Sequence, residues 1–159
     1  MRITITFLLF LTSIGCQKDR QSTSVSKNLS RELVQGNWKN FVQNEIYSEI
    51  IIMKSGNFNY TNNSELLSFS NGTWNVKRDT LYLNSVIPHE CFFVSKFGPI
   101  CRNPNILIEE LIETTIENCE PSHENKYFIK FLNEKFIIRN DTLIHIPKCQ
   151  NVEDIKFYK

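Results

Sequence analysis

The three histidines and the four cysteines beyond Cys16 are the side chains most apt to bind a metal: His89, Cys91, Cys101, Cys119, His123, His145 and Cys149. Cys119 and His123 even have a C-x3-H spacing. Zinc sites, however, bring their ligands in close pairs such as C-x2-C, and no such pair occurs, so no metal is expected. Nucleophilic catalysis needs a Ser or Cys, a His and an orienting acid within hydrogen-bond reach. No Gly-x-Ser-x-Gly turn accompanies the three histidines. His89 and His123 sit in polar stretches beside Glu90 and Glu124, and His145 follows Ile144 near Asp141. All three read as solvated or edge histidines. The five glycines form no phosphate-cradling loop. The expectation is a protein that is not an enzyme and carries no cofactor.

How the cysteines should be read depends on where the chain resides, and Met1–Cys16 bears on that. Arg2 gives a positive start, Ile3–Leu11 is apolar apart from Thr4 and Thr6, and Thr12, Ser13 and Gly15 lead to Cys16. The apolar run is too short to span a bilayer, so residues 1–15 read as a secretory signal. Ser13-Ile14-Gly15-Cys16 resembles the end of a bacterial lipoprotein signal, which is cut just before a cysteine that then receives lipid. The resemblance implies acyl chains on Cys16 and anchoring in the outer membrane. Gln17-Lys18-Asp19 resembles a short signal for export to the outer surface, from which Arg20 departs. The periplasmic and surface faces both stay open. The expected partner is the membrane, reached through those acyl chains.

With Cys16 lipidated, Cys91, Cys101, Cys119 and Cys149 remain. Four cysteines in an exported chain imply two disulfides with three possible connectivities. Cys91–Cys101 and Cys119–Cys149 are the favoured pairs, the first closing a loop and the second tying an insertion to the chain end. The formal net charge is +1, and Arg2 in the signal accounts for it. No basic field exists to hold nucleic acid.

Residues 16–29 are rich in Ser, Gln and charge with no apolar period, and read as a tether. Residues 30–159 read as one β-rich domain. Ser30 before Glu32-Leu33-Val34 predicts a capped helical turn ending at Gly36. A first strand follows, then a β-prone run from Ile46 to Met53, a turn at Lys54–Asn57, and a strand through Phe58 and Tyr60. Asn71-Gly72 predicts a hairpin turn, since both central residues of that turn need positive φ. Trp74–Leu83 (WNVKRDTLYL) is echoed by Phe136–His145 (FIIRNDTLIH), which implies two similar hairpins, each turning at the Asp before Thr-Leu.

Between those hairpins, Ser85–Asn105 holds three prolines and two cysteines and reads as a long disulfide-pinned loop. Ile106–Asn118 fits both a helical stripe and a strand face, and its β-rich surroundings favour strand. Lys126–Leu132 and Asp154–Tyr158 supply further strands. The fold class is therefore all-β: an antiparallel up-and-down barrel or strongly curled sheet of about 8–10 strands.

Gly36-x-Trp38 after a helical turn is similar to the lipocalin signature. Phe58-Asn59-Tyr60, Gly72-Thr73-Trp74 and Asp79-Thr80-Leu81-Tyr82-Leu83 resemble small lipocalin-like domains on bacterial lipoproteins. The likeness covers about residues 30–84 and implies the barrel more than any ligand. Trp38, Phe58, Tyr60, Phe69, Trp74 and Phe136 are the residues that could line a ligand cavity or simply fill the barrel. Two functions follow as expectations. One is a lipid-anchored, non-catalytic binding barrel for a small apolar ligand. The other is an envelope interaction protein with a filled barrel, whose 85–105 loop engages a protein or glycan. An apolar patch around Phe92, Phe93 and Phe97 would favour the second. The oligomeric state is open.

Overall fold

Alternation of buried and exposed side chains sets the strands. In the computed structural model, which describes residues 31–63, 66–98, 113–123, 125–147 and 153–159, Glu45–Ile52 (β2) points Ser48, Ile50 and Ile52 inward. Asn57–Asn62 (β3) does the same with Phe58 and Tyr60. The remaining barrel strands are Gly36–Val42 (β1), Leu67–Lys77 (β4), Thr80–Ser85 (β5), Glu134–Arg139 (β9), Thr142–His145 (β10) and Lys156–Tyr158 (β11). Each pairs antiparallel with the next, β5 passes directly to β9, and β11 closes back on β1 at Lys39↔Tyr158. The result is a closed eight-stranded antiparallel barrel, compatible with a lipocalin-like one. Closure leaves no barrel edge to be protected.

The excursion between β5 and β9 is itself sheet. It contains Phe93–Lys96 (β6), Glu113–Thr114 (β7) and Lys126–Lys130 (β8). β8 runs parallel to the start of β4 at Leu67↔Lys126, β6 runs parallel to β8, and β7 pairs antiparallel with β6. These two parallel pairings depart from the all-antiparallel expectation. Of Ile106–Asn118, residues 113–114 are strand, and 106–112 lie outside the described residues. So do residues 1–30, including Cys16 and the tether, and Cys101 and Cys149.

Two expectations need correction. Cys91 is bonded to Cys119, with Cα atoms 6.0 Å apart, so neither Cys91–Cys101 nor Cys119–Cys149 forms. The β6–β7 ladder continues outward through Thr115 N to Phe92 O and Phe92 N to Thr115 Oγ1. That ladder carries Cys119 to Cys91 across 28 residues, a proximity set by pairing and invisible to loop length. The second correction is Asn71-Gly72, which is no hairpin turn but the middle of β4. Gly72 lies opposite Ser85 in register, and a Cβ there would run into the Asn84 carbonyl oxygen. A glycine inside a strand often marks such a close backbone approach.

The echoed hairpins do match. Trp74 pairs with Leu83 and Phe136 with His145. Arg78 and Asn140, each just before the Asp, take positive φ of 58° and 51°. A third tight turn, Gln43-Asn44, has both residues at positive φ and joins β1 to β2.

One end of the barrel is sealed by the helical turn at 31–34. Trp38 Nε1 donates to Val34 O at 2.7 Å, and Lys159 Nζ donates to Leu33 O at 2.9 Å. The same ammonium lies 5.5 Å from the Trp38 ring centre. Arg31 covers the Trp74 ring, whose Nε1 donates to Met53 O.

Gly72→Ala should destabilise the fold by about 1–3 kcal/mol, as overpacking against a backbone does. Urea unfolding of the variant against wild type measures it, with an unchanged denaturant slope expected.

Candidate functional site

At the opposite end from the helical turn, the barrel interior meets the β8–β6–β7 extension. Side chains on this inner face alternate along β8 (Tyr127, Ile129) and β6 (Phe93, Ser95), and the register pairs Phe93 with Tyr127 and Ser95 with Ile129. Ser68 of β4 sits beside Tyr127. These residues, with Leu66 and Val94, line an open cleft of about 350 Å³. Phe93 and Tyr127 are stacked at 5.6 Å and form its aromatic wall. The size is at the low end for small-molecule sites.

Beyond β6 the chain turns into the barrel. Phe97 stacks on Phe131 at 4.4 Å, and its ring also meets Tyr60, Phe136 and Phe157. Phe131 in turn meets Phe58 and Tyr60 edge-on. Such aromatic pairs contribute about 0.5–1.5 kcal/mol each beyond burial. Trp38, Phe58, Tyr60, Trp74 and Phe136 are all buried in this core. Phe69 is different. It alternates with Ser68 and Ser70 on the outer face, where it packs on Phe92 and Phe128 beneath the Lys126 ammonium. Phe92 is buried there too. Phe92, Phe93 and Phe97 do not form one patch: Phe92 packs on the outer face, Phe93 lines the cleft and Phe97 enters the lumen.

A serine pair ties β4, β5 and the end of β8 together where β4 exchanges partners. Ser70 Oγ and Ser85 Oγ are 2.7 Å apart, Ser85 Oγ donates to Ile129 O, and Phe131 N donates to Ser85 Oγ at 2.8 Å. Tyr60 hydrogen-bonds to the Ser48 and Asn62 side chains close by.

The reading of His145 as a solvated or edge residue is overturned. His145 is 2% exposed, and its Nε2 lies 3.0 Å from Oε2 of the equally buried Glu134. With Glu134 ionised and the imidazole neutral, the ring donates through Nε2 and keeps its lone pair on Nδ1. Nδ1 is buried and finds no hydrogen-bond partner among the described residues. Phe97 lies perpendicular to this imidazole at 5.0 Å, and a Cβ on Gly98, at φ 86°, would meet its Cε1 at 2.8 Å. The echo held the missed signal: His145 occupies the position of Leu83, which is fully buried. His89 and His123 are exposed. Among the described residues no three His, Cys, Asp or Glu side chains gather as a metal site. His123 and Lys126 border a second, more open depression of about 470 Å³.

Burial pushes the Tyr60 hydroxyl above the ordinary tyrosine value, outweighing the opposing hydrogen bonds from Asn62 and Ser48. The unfolded chain therefore loses this proton first, at pH about 10. Stability from Tyr60 is complete below that pH and is lost as pH rises toward the folded value. Wild type should lose stability above pH about 10 more steeply than Tyr60→Phe, as read by urea unfolding at stepped pH.

Comparison with known protein families, curated proteins and solved structures found no match for this chain.

Proposed function

We propose that this chain is a lipid-anchored, non-catalytic binding module of the cell envelope, whose recognition face is the cleft at the mouth of the barrel. One observation carries the reading. The lumen is packed with aromatic rings, whereas the insertion leaves an apolar, aromatic-walled cleft beside it. The ligand that fits such a cleft is a small apolar molecule. Ser68 and Ser95 supply the few polar groups that orient it.

The first described residues, 31–34, lie at the end of the barrel opposite the cleft, which supports a recognition face turned away from an anchor on Cys16. A larger envelope partner, a protein or a glycan, is the second reading. It draws on the exposed Phe41, Val42, Leu66, Val86 and Ile87 on the strand ends and links around the mouth.

Ser95→Trp should fill the cleft and abolish binding of small apolar ligands, while the melting temperature changes little. Native mass spectrometry of the domain against a panel of lipids and apolar metabolites reads this. Retained binding in Ser95→Trp would place the ligand elsewhere. For the anchor, Cys16→Ser should remove acyl labelling and release exported protein from the membrane fraction. A variant that kept both label and membrane association would overturn the lipid anchor.

A further inference from the structure

Phe97 sits in the barrel as a foreign ring. It comes from the end of β6, outside the barrel strands, and enters on a backbone bond from Phe97 N to Lys130 O at 3.2 Å. The side chains around it (Tyr60, Phe131, Phe136, Phe157) belong to the barrel wall or to the link into β9 and are buried, while Phe97 itself is only partly so. Its ring lies flat on Phe131 and edge-on to both Tyr60 and His145. The slot therefore holds a single six-membered ring between one stacked aromatic ring and two perpendicular ones.

The polar corner of that slot is poorly served by Phe97. His145 is oriented through Nε2 by Glu134, and Nδ1 is buried with no partner among the described residues. A buried acceptor left unpaired forfeits the hydrogen bond that water would have given it. Phenylalanine has no donor to offer, and neither does the missing side chain of Gly98, whose would-be Cβ lies 3.5 Å from Nδ1. An occupant with an O–H or N–H on its ring would remove this penalty.

We propose that the Phe97 slot is a ligand site for an aromatic ring bearing a hydrogen-bond donor, of the phenol or indole class, and that Phe97 is its internal stand-in. This rests on the mouth cleft as the binding face and extends it inward. Ser95 and Ile129 of the cleft lie two residues before Phe97 and Phe131. A ring entering from the cleft displaces Phe97 and Gly98, stacks on Phe131 and donates to His145 Nδ1. Glu134 and His145 are binding residues in this scheme, with Glu134 fixing which ring nitrogen accepts.

The test uses the full chain, with ¹⁵N-labelled histidine, titrated with phenol and with toluene, which has the ring but no donor. Phenol should shift the His145 Nδ1 resonance saturably in wild type, and toluene should not. Phe97→Ala should bind phenol at least about tenfold more tightly than wild type. It should also prefer phenol to toluene by about tenfold, the worth of one buried hydrogen bond. In the Phe97→Ala background, His145→Leu, which copies Leu83 of the matching hairpin, should bind both probes equally. If that variant fails to fold, the Nδ1 shift in Phe97→Ala decides alone. Equal binding of phenol and toluene by Phe97→Ala would reduce the slot to an ordinary core cavity and overturn the proposal. So would an unmoved His145 resonance in both proteins. Ligand bound at the cleft with His145 unmoved would leave the cleft standing and remove the slot. A phenol shift that persists in Ser95→Trp would keep the slot and remove the cleft as its entrance.

Discussion

The structure depends on one strand having to change partners along a single edge. β4 pairs with β3 along one edge, but along the other it meets β8 at Leu67–Phe69 and β5 only from Gly72 onward. An exchange of partners inside one continuous strand requires the backbones of β4 and β5 to approach closely where they part. Only a residue without a Cβ fits opposite Asn84 and Ser85. The Ser70–Ser85 pair then supplies hydrogen bonds for the groups that the parting ladders leave behind, joining β4, β5 and the end of β8.

From that seam follows the division of the molecule into a filled barrel and an open extension. Pairing β8 to β4 projects β6 past the barrel mouth and aims Phe97 into the lumen. The outer face of the extension is consolidated by Phe69, Phe92 and Phe128 under Lys126, and by the Cys91–Cys119 bridge. The inner face keeps a cleft, because Ser68 and Ser95 are too small to close the space between Phe93, Tyr127 and Ile129. The sealed end uses different means: hydrogen bonds from Trp38 and Trp74 to backbone carbonyls, with Lys159 and Arg31 over their rings.

Much of the barrel was legible in the residues, for local reasons. Trp38, Phe58, Tyr60, Trp74 and Phe136 stood out as lumen candidates from their place in β-prone segments, and all are buried. The repeat of Asp-Thr-Leu announced two equivalent hairpins. What failed was whatever depended on partners distant in sequence. Asn71-Gly72 has the composition of a turn, yet β4 runs straight through it. Phe69 alternates correctly but on the outer face, because the extension gives that face something to bury.

The candidate site divides in the same way. The sequence by itself determined an all-β chain, the hairpins at Arg78-Asp79 and Asn140-Asp141, and most of the aromatic core. These follow from side-chain periodicity and backbone preference within a few residues. Only the tertiary structure decided that Cys91 meets Cys119, that Phe97 fills the lumen, and that His145 lies buried on Glu134. Each of those contacts joins segments through strand pairing rather than through their own composition, and register, not residue type, brings them together.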